Sequence, residues 1–456
     1  MTRRFKTPDY EAMLHSTVSL GEALPEGHLA RFIVQVIAQL DLSRIYQHYA
    51  SQGGEAIAPE ILLGLLFYGY ATGVFSSRKI ERATHESLPF RFLASGLHPD
   101  HDTIATFRKT FLAEIQELFV QILLMAQAVG VLHLGNISLD GSKIHADASK
   151  SKAVSYKRLQ AVEAQLREEV QRVLSLGAQV DRGELTLPEG WVVEAEVQRR
   201  TDRLAQLAEA KAVLEARAAE RLAAEQAAYA AKLRERAAKA RRRGGKPRGP
   251  APKPPEAGPR DGDQYNFTDP ESRIMKNSAN SGFDQHYNAQ VVVDQDSLLI
   301  VAPAVSNHPN DTAEVAPTLA ALPPELGTPS GAALDHGYWS EPNRAALERH
   351  GIDAYIATGR EPRHQSWEAL FAEQAVPPAA EASPLEKMAY KLRTEIGRAI
   401  YRLRKCTVEP VIGIIKEVLG FRQFSLRGLA AAAGEWCLVC LGFNLKRLHV
   451  LMAKAA

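Results

Sequence analysis

NISLDGSKIHADAS, spanning Asn136 to Ser149, sets a carboxylate inside what reads as an apolar strand. Ile137 and Leu139 alternate with Ser138 and Asp140, a period of two, so Asp140 faces away from the apolar pair. A charged carboxylate at such a place is costly unless it lies open in a cleft, is paired or binds a cation. The plainer alternative is a strand-end aspartate bonded to a turn that Gly141 permits. Two distant segments bear on the choice. GAALDHGYWS puts Asp335 directly after a second short apolar strand, and TVEPVIGIIKEVLGFRQF puts Glu409 in a helical context. Two strand-borne aspartates and one helix-borne glutamate, brought together by folding, would form a cluster for hard divalent cations.

Other acids compete for these places. Asp147 lies seven residues beyond Asp140, an odd step that turns it to the other face unless Gly141 introduces a bulge. Glu417 is eight residues past Glu409, close in helical phase. Lys405, four residues before Glu409, offers that glutamate an ordinary ion pair instead. Pro410 cannot donate to the carbonyl of Cys406, so the helix is expected to kink or restart there, with Glu409 at a new N-terminus. His101, His308 and His336 read as hydrogen-bonded structural groups, and Trp339 as buried against the sheet rather than stacked on a base.

Outward from these segments, residues 1–130 read as an all-helical domain. The cleanest pattern is Ile104, Phe107, Phe111, Ile115, Leu118, Ile122 and Met125 as one helix, capped by Asp102 or Thr103 and ended by Gly130. Arg78, Arg82, Arg91, Arg108 and Lys109 suit either a DNA-contacting or a merely solvated face. Residues 151–264 form an insertion after the first strand. It reads as a helical hairpin broken within residues 174–191, followed by a basic Pro/Gly-rich linker expected to be disordered when free. Residues 135–150 and 265–430 hold the sheet: a hairpin of QHYNAQVVVD and LLIVAPAV, a helix from Asp311 to Leu322 capped by Asp311, then GAALD, a helix and IDAYIAT. Residues 361–383 read as loop, and residues 431–456 as a C-terminal helix. Strands first antiparallel, then alternating with helices, predict a mixed α/β sheet covered on both faces.

At 456 residues the chain has room for two or three domains, and its net charge of +2 says little about nucleic acid. The distribution says more: Lys232 to Arg260 holds eleven basic residues against two acidic, and Lys387 to Arg427 is also strongly basic. Three cysteines give no disulfide framework and suit a reducing compartment. Cys437 and Cys440 sit in an apolar helical run without a second ligand pair, which favours core thiols over zinc. The start lacks the apolar core of a secretion signal, and Ile61 to Phe75 is shorter than the ~20 residues that span a bilayer, so a cytoplasmic protein off the membrane is expected.

PDHDTIATFR (residues 99–108), LDGSKIHADAS, TDPESRIMKNS (268–278), YNAQVVVD (287–294), DHGYWSEPN (335–343) and YRLRKCTVEPVIGIIK (401–416) followed by GFRQFSLRG occur in that order. With Pro59, Leu62, Tyr68, Ser77, Arg78 and Ile80, they make the chain resemble bacterial insertion-sequence transposases of the DDE, ribonuclease H-like class. The resemblance implies a ribonuclease H-like sheet with flanking helices, with Asp140, Asp335 and Glu409 as catalytic ligands of two Mg²⁺ or Mn²⁺ ions. It implies double-stranded DNA as partner, both element ends and target, and a homodimer on DNA. Tyr401, Arg404, Lys416 and Arg427 would contact DNA. Between Arg404 and Glu409 stand four residues where many such enzymes have three, and Ile412 and Ile414 replace the more usual aromatic and polar residues. A transposase-derived DNA-binding protein without catalysis, a ribonuclease H-like nuclease such as a junction resolvase, and an oligomerising scaffold are the rivals.

Overall fold

Ile33, Val36 and Ile37 recur at helical spacing and bury one face of α1, Leu29–Ile37. The structure, a computed structural model, describes residues 17, 19–49, 55–247, 249–277, 282–359 and 377–455. The expected loop over residues 361–383 lies outside them up to residue 376. After α1 come α2 (Pro59–Thr72), α3 (Ser77–Glu86), α4 (His101–Thr110) and α5 (Leu112–Ala128). The single helix expected through Met125 is two, bent by 73° at Phe111. Its cap is Asp100, whose carboxylate accepts from Thr103 N at 2.7 Å, rather than Asp102 or Thr103. Gly130 ends the second helix with a φ of +71°, where a side chain would be strained.

Two compact units make up the chain: residues 1–147, 275–282 and 286–456 form one, and residues 148–274 with 283–285 the other. The second unit holds a two-stranded pairing of β2 (Ala153–Ser155) with β3 (Gln264–Asn266), and between them the helices α6 (Tyr156–Asp181) and α7 (Val193–Arg242). Leu159, Leu207, Ala210, Leu214 and Tyr265 are its core, so the hairpin closes near its base and its seam gives out toward the tip. The basic linker is not free chain. Arg236 donates to the carbonyls of Gly249 and Pro250, Arg221 to Gly258 O and to Asp263, and Arg260 to Glu225, so arginines and acids tie the return strand along α7.

β1, Asn136–His145, centres the sheet of the first unit. It pairs antiparallel with β5 (Phe283–Asp294), which also pairs with β6 (Ile300–Ser306) as the expected hairpin, and β4 (Arg273–Lys276) completes that side. On its other side β1 pairs parallel with β7 (Gly331–Leu334), and β7 with β8 (Asp353–Ile356). Between β6 and β7 the helix is only α8, Val315–Ala320. Asp311 does not cap it, because its carboxylate turns to the sheet and accepts from Asn288 and Gln290.

α9 (Glu341–Arg349) links β7 to β8, and α10 (Pro384–Arg393) leads into α11 (Glu395–Gly413). α11 passes through Pro410 without the expected restart. A proline inside a helix costs about 3 kcal/mol through the lost hydrogen bond and the clash of its ring with the preceding turn, and Val408, Val411 and Ile415, all buried, hold the helix down across Pro410; a wider turn over Ile414–Val418 follows. The last helix, α12 (Leu429–Ala455), is long and apolar enough to cross a membrane by length and composition alone. Here it packs against α2, α5 and β6, with Trp436, Cys437, Cys440 and Leu445 buried and Asn444 exchanging two hydrogen bonds with the backbone of Ile300. It therefore belongs to the core of the first unit, and its CxxC thiols are core groups; burial pushes Cys437 up to about 12.

One buried ion pair ties α12 to the helical region. Glu435, fully buried, accepts from Ser425 N at 2.8 Å, Leu426 N at 3.0 Å and Tyr70 Oη at 3.2 Å, and Arg108 Nη1 donates to Tyr70 Oη at 2.9 Å. Arg108 is thus a core cation and not part of a basic surface.

Candidate active site

The ladder between β1 and β7 ends on Leu139 opposite Leu334, so the next residue of each strand is an aspartate. Parallel neighbours in register keep the same face, and adjacent strands lie about 4.8 Å apart, so Asp140, in the middle of β1, and Asp335, the first residue past the end of β7, are neighbours, close enough for the Asp335 charge to act on Asp140. Burial pushes the Asp140 carboxyl up to about 6. The negative charges of Asp335 and Asp311 add to the push, while the Gly141 N–H and the Arg404 guanidinium oppose it. Asp335 itself is exposed, and its carboxylate accepts from His336 N.

Glu409 arrives on α11, which lies on the same face. Thr407 Oγ1 donates to Ser138 Oγ at 2.9 Å, pinning the helix to β1 two residues before Asp140. Glu409 is not joined to Lys405. Its partner is Arg404, whose Nη2 lies 3.0 Å from Glu409 Oε1 while Nη1 lies 3.2 Å from Asp140 Oδ2. Arg404 is buried, yet its charge is held on: burial opposes it, but Tyr401, Asp140, Glu409 and Asp335 together outweigh that cost. The guanidinium carbon stands 5.9 Å from the Tyr401 ring centroid.

The rival acids are engaged elsewhere, Glu417 with Arg422 and Asp147 with Arg427 Nε at 2.8 Å. Lys416 Nζ donates to Ser142 Oγ at 2.9 Å, on the Asp140 face of β1, and burial lowers its pKa. The histidines are hydrogen-bonded: His101 with Glu81, His308 with Glu314, and His336 with the carbonyl of Ala357.

Under Asp140 lies a polar network that the sequence did not announce. Gln290 faces Gly141 across the β1–β5 ladder, whose register is unbroken from Ile137 to His145, so there is no bulge at Gly141. The Gln290 side chain crosses over that glycine, where an added Cβ would come within 2.1 Å of its Nε2. Its amide donates to Asp311 at 2.9 Å and accepts from the Tyr338 hydroxyl, Asn288 donates to Asp311 at 2.8 Å, and Asn343 donates to Tyr338 O at 2.9 Å. Two amides on alternate residues leading into the apolar run Val291–Val293, Asn288 and Gln290, are the one local hint.

Carboxylate oxygens are good donors for hard divalent ions, and Asp140, Asp335 and Glu409 offer them from three elements of one face. The set suits such an ion chemically but is not gathered around a point. Among the described residues no group of three or more His, Cys, Asp or Glu side chains is placed to hold a metal ion, and the cation between Asp140 and Glu409 is Arg404.

A mixed sheet with one acid inside a central strand and a second just past the end of its parallel neighbour, covered by a helix bearing a third acid, is consistent with a ribonuclease H-like fold. Residues 18–110 match the family described as Transposase domain (DUF772), and residues 363–449 match the Transposase DDE domain. The two matches, one toward each end of the chain, support its assignment to the insertion-sequence DDE transposases, enzymes that act on DNA and generally use divalent metal ions. The second match includes Glu409, whereas Asp140 and Asp335 lie outside both. No curated protein and no solved structure matches the chain.

Proposed function

We propose that the chain binds the terminal inverted repeats of its own insertion sequence, hydrolyses one strand at each end to expose a 3′ hydroxyl, and uses that hydroxyl to attack target DNA. The side-by-side placement of Asp140 and Asp335, with Glu409 tied to Asp140 through one arginine, is the observation that carries this reading. Asp140, Asp335 and Glu409 would hold two Mg²⁺ or Mn²⁺ ions, which when bound supply activation of the attacking oxygen and charge for the leaving one. The protein's own share is to fix these carboxylates on a rigid sheet and helix. Tyr401, Lys416 and Arg427 would contact DNA phosphates, contacts that weaken as salt rises, whereas Arg404 is buried with both arms on Asp140 and Glu409. Water and then the 3′ hydroxyl act in turn at one site, so no covalent enzyme intermediate is needed, and joining two ends calls for a dimer on DNA.

The test is nicking of DNA carrying the element ends, with Mg²⁺ or Mn²⁺, by the wild type and by Asp140→Asn. Cleavage by the first alone upholds the reading. The Arg404 bridge favours one other reading, a chain that holds DNA without cutting it, and retained binding with no nicking by the wild type in either metal would establish it.

A further inference from the structure

Three observations on Arg404 do not fit a settled structural ion pair. Its guanidinium gives one nitrogen to each of two carboxylates, Nη1 to Asp140 at 3.2 Å and Nη2 to Glu409 at 3.0 Å, instead of a two-point fork to either. The parallel two-bond fork is the strong arginine–carboxylate geometry, and neither acid receives it. Its Nε is buried without a hydrogen-bond partner, a cost that a finished structural site normally avoids. Finally, the two acids differ in freedom: Asp140 is fixed in a central strand with its side chain 21 % exposed, whereas Glu409 is 48 % exposed on the helix surface and can leave at little cost.

We propose that Arg404 is an internal stand-in for a divalent cation: it holds Asp140 and Glu409 in reach of each other in the metal-free protein and is displaced from them when metal binds. The proposal rests on reading Asp140, Asp335 and Glu409 as metal ligands. Without a cation between them, carboxylates collected on one face repel, and a partly buried one is further penalised. A single delocalised charge about 3 Å from each oxygen relieves that repulsion. A divalent ion does so better, carrying twice the charge and approaching to about 2.1 Å, so it wins the contest at sufficient concentration. Arg404 is then a positioning residue with a definite cost to metal affinity, because every binding event must first break its two contacts.

The experiment is Mn²⁺ binding to the full chain without DNA, followed by the loss of the free-ion electron paramagnetic resonance signal, for wild type, Arg404→Met, Arg404→Lys and Asp140→Asn. Removing the charge is expected to tighten Mn²⁺ binding at least about ten-fold, and the lysine, which keeps the charge but not the two-armed reach, to tighten it by less. An arginine that merely shapes the helix would weaken binding when removed. Equal or weaker binding by Arg404→Met, with wild-type binding that Asp140→Asn abolishes, overturns the proposal and leaves the metal-ligand reading intact. Absence of Mn²⁺ binding in all four proteins overturns both. Should Arg404→Met fail to fold, Arg404→Lys decides: affinity above wild type supports the stand-in, and affinity at or below it overturns it.

Discussion

Leu139 and Leu334 are partners across two parallel strands, and each is followed at once by an aspartate. Register, not proximity in sequence, therefore brings Asp140 and Asp335 together, and both should be needed for chemistry but not for the fold. Asp140→Asn and Asp335→Asn are each expected to lower DNA nicking by more than about a hundred-fold, a typical loss for groups that stabilise transition-state charge, while end binding in a mobility-shift assay stays within a few-fold. Either variant cutting at near wild-type rate would remove that residue from the site.

The Asp140 carboxyl also makes a statement about stability. Raised from an unfolded value near 3.8 to about 6, it binds its proton more tightly in the folded state. That favourable linkage is fully present below about pH 4 and is lost as pH rises through about 6, so the ionised form weighs against the fold at neutral pH. At ~1.4 kcal/mol per unit, Asp140→Asn should be more stable than wild type by roughly 2–3 kcal/mol at pH 7.5 with chelator present, and about equal at pH 4. Urea midpoints at the two pH values measure this. A variant less stable at pH 7.5 would show that ionised Asp140 contributes to holding the sheet.

Gly141 is required for space rather than for backbone freedom, since Gln290 Nε2 lies where its Cβ would be. Gly141→Ala should cost about 1–3 kcal/mol, a usual penalty for overpacking. Pairing it with Gln290→Ala should give a double variant less destabilised than the two single losses added together, because the clash disappears with the amide. Additive losses in denaturant titrations would mean that the strands move apart to admit the methyl group.

Much of this architecture was legible because it is written in local periods. The two-residue alternation around Asp140, the hairpin through Asp294, and the apolar run before Asp335 each fix an element from its own residues. What escaped were partners set by long-range packing. Glu409 has a lysine one helical turn back and yet pairs with Arg404, because burial of Val408 and Val411 carries the helix straight through Pro410 and sets which side chains meet Asp140. Asp311 carried the signature of a helix cap, but two amides from a strand about twenty residues earlier claim its carboxylate. Nothing in the order of residues reveals such competition, since both outcomes satisfy the same local chemistry.

Arg108 is the sharpest case, and it separates a surface role from a core one. Read in sequence it belongs with a set of basic groups that could meet DNA. In the fold its guanidinium reaches Tyr70 Oη, the carbonyl of Phe75 and the neighbourhood of Glu435, 365 residues from Tyr70. Removing one member of a buried charge pair leaves the other uncompensated, at a cost of about 3–5 kcal/mol. Arg108→Met should therefore lower the urea midpoint sharply, and adding Glu435→Gln should restore part of the loss, since the uncompensated charge goes with it. Arg78→Ala, on an exposed face, should leave stability within about 0.5 kcal/mol. If Arg108→Met instead kept full stability and weakened DNA binding in a salt-dependent way, the residue would have to leave the core, and the docking of α12 on α2 through Glu435 would be wrong.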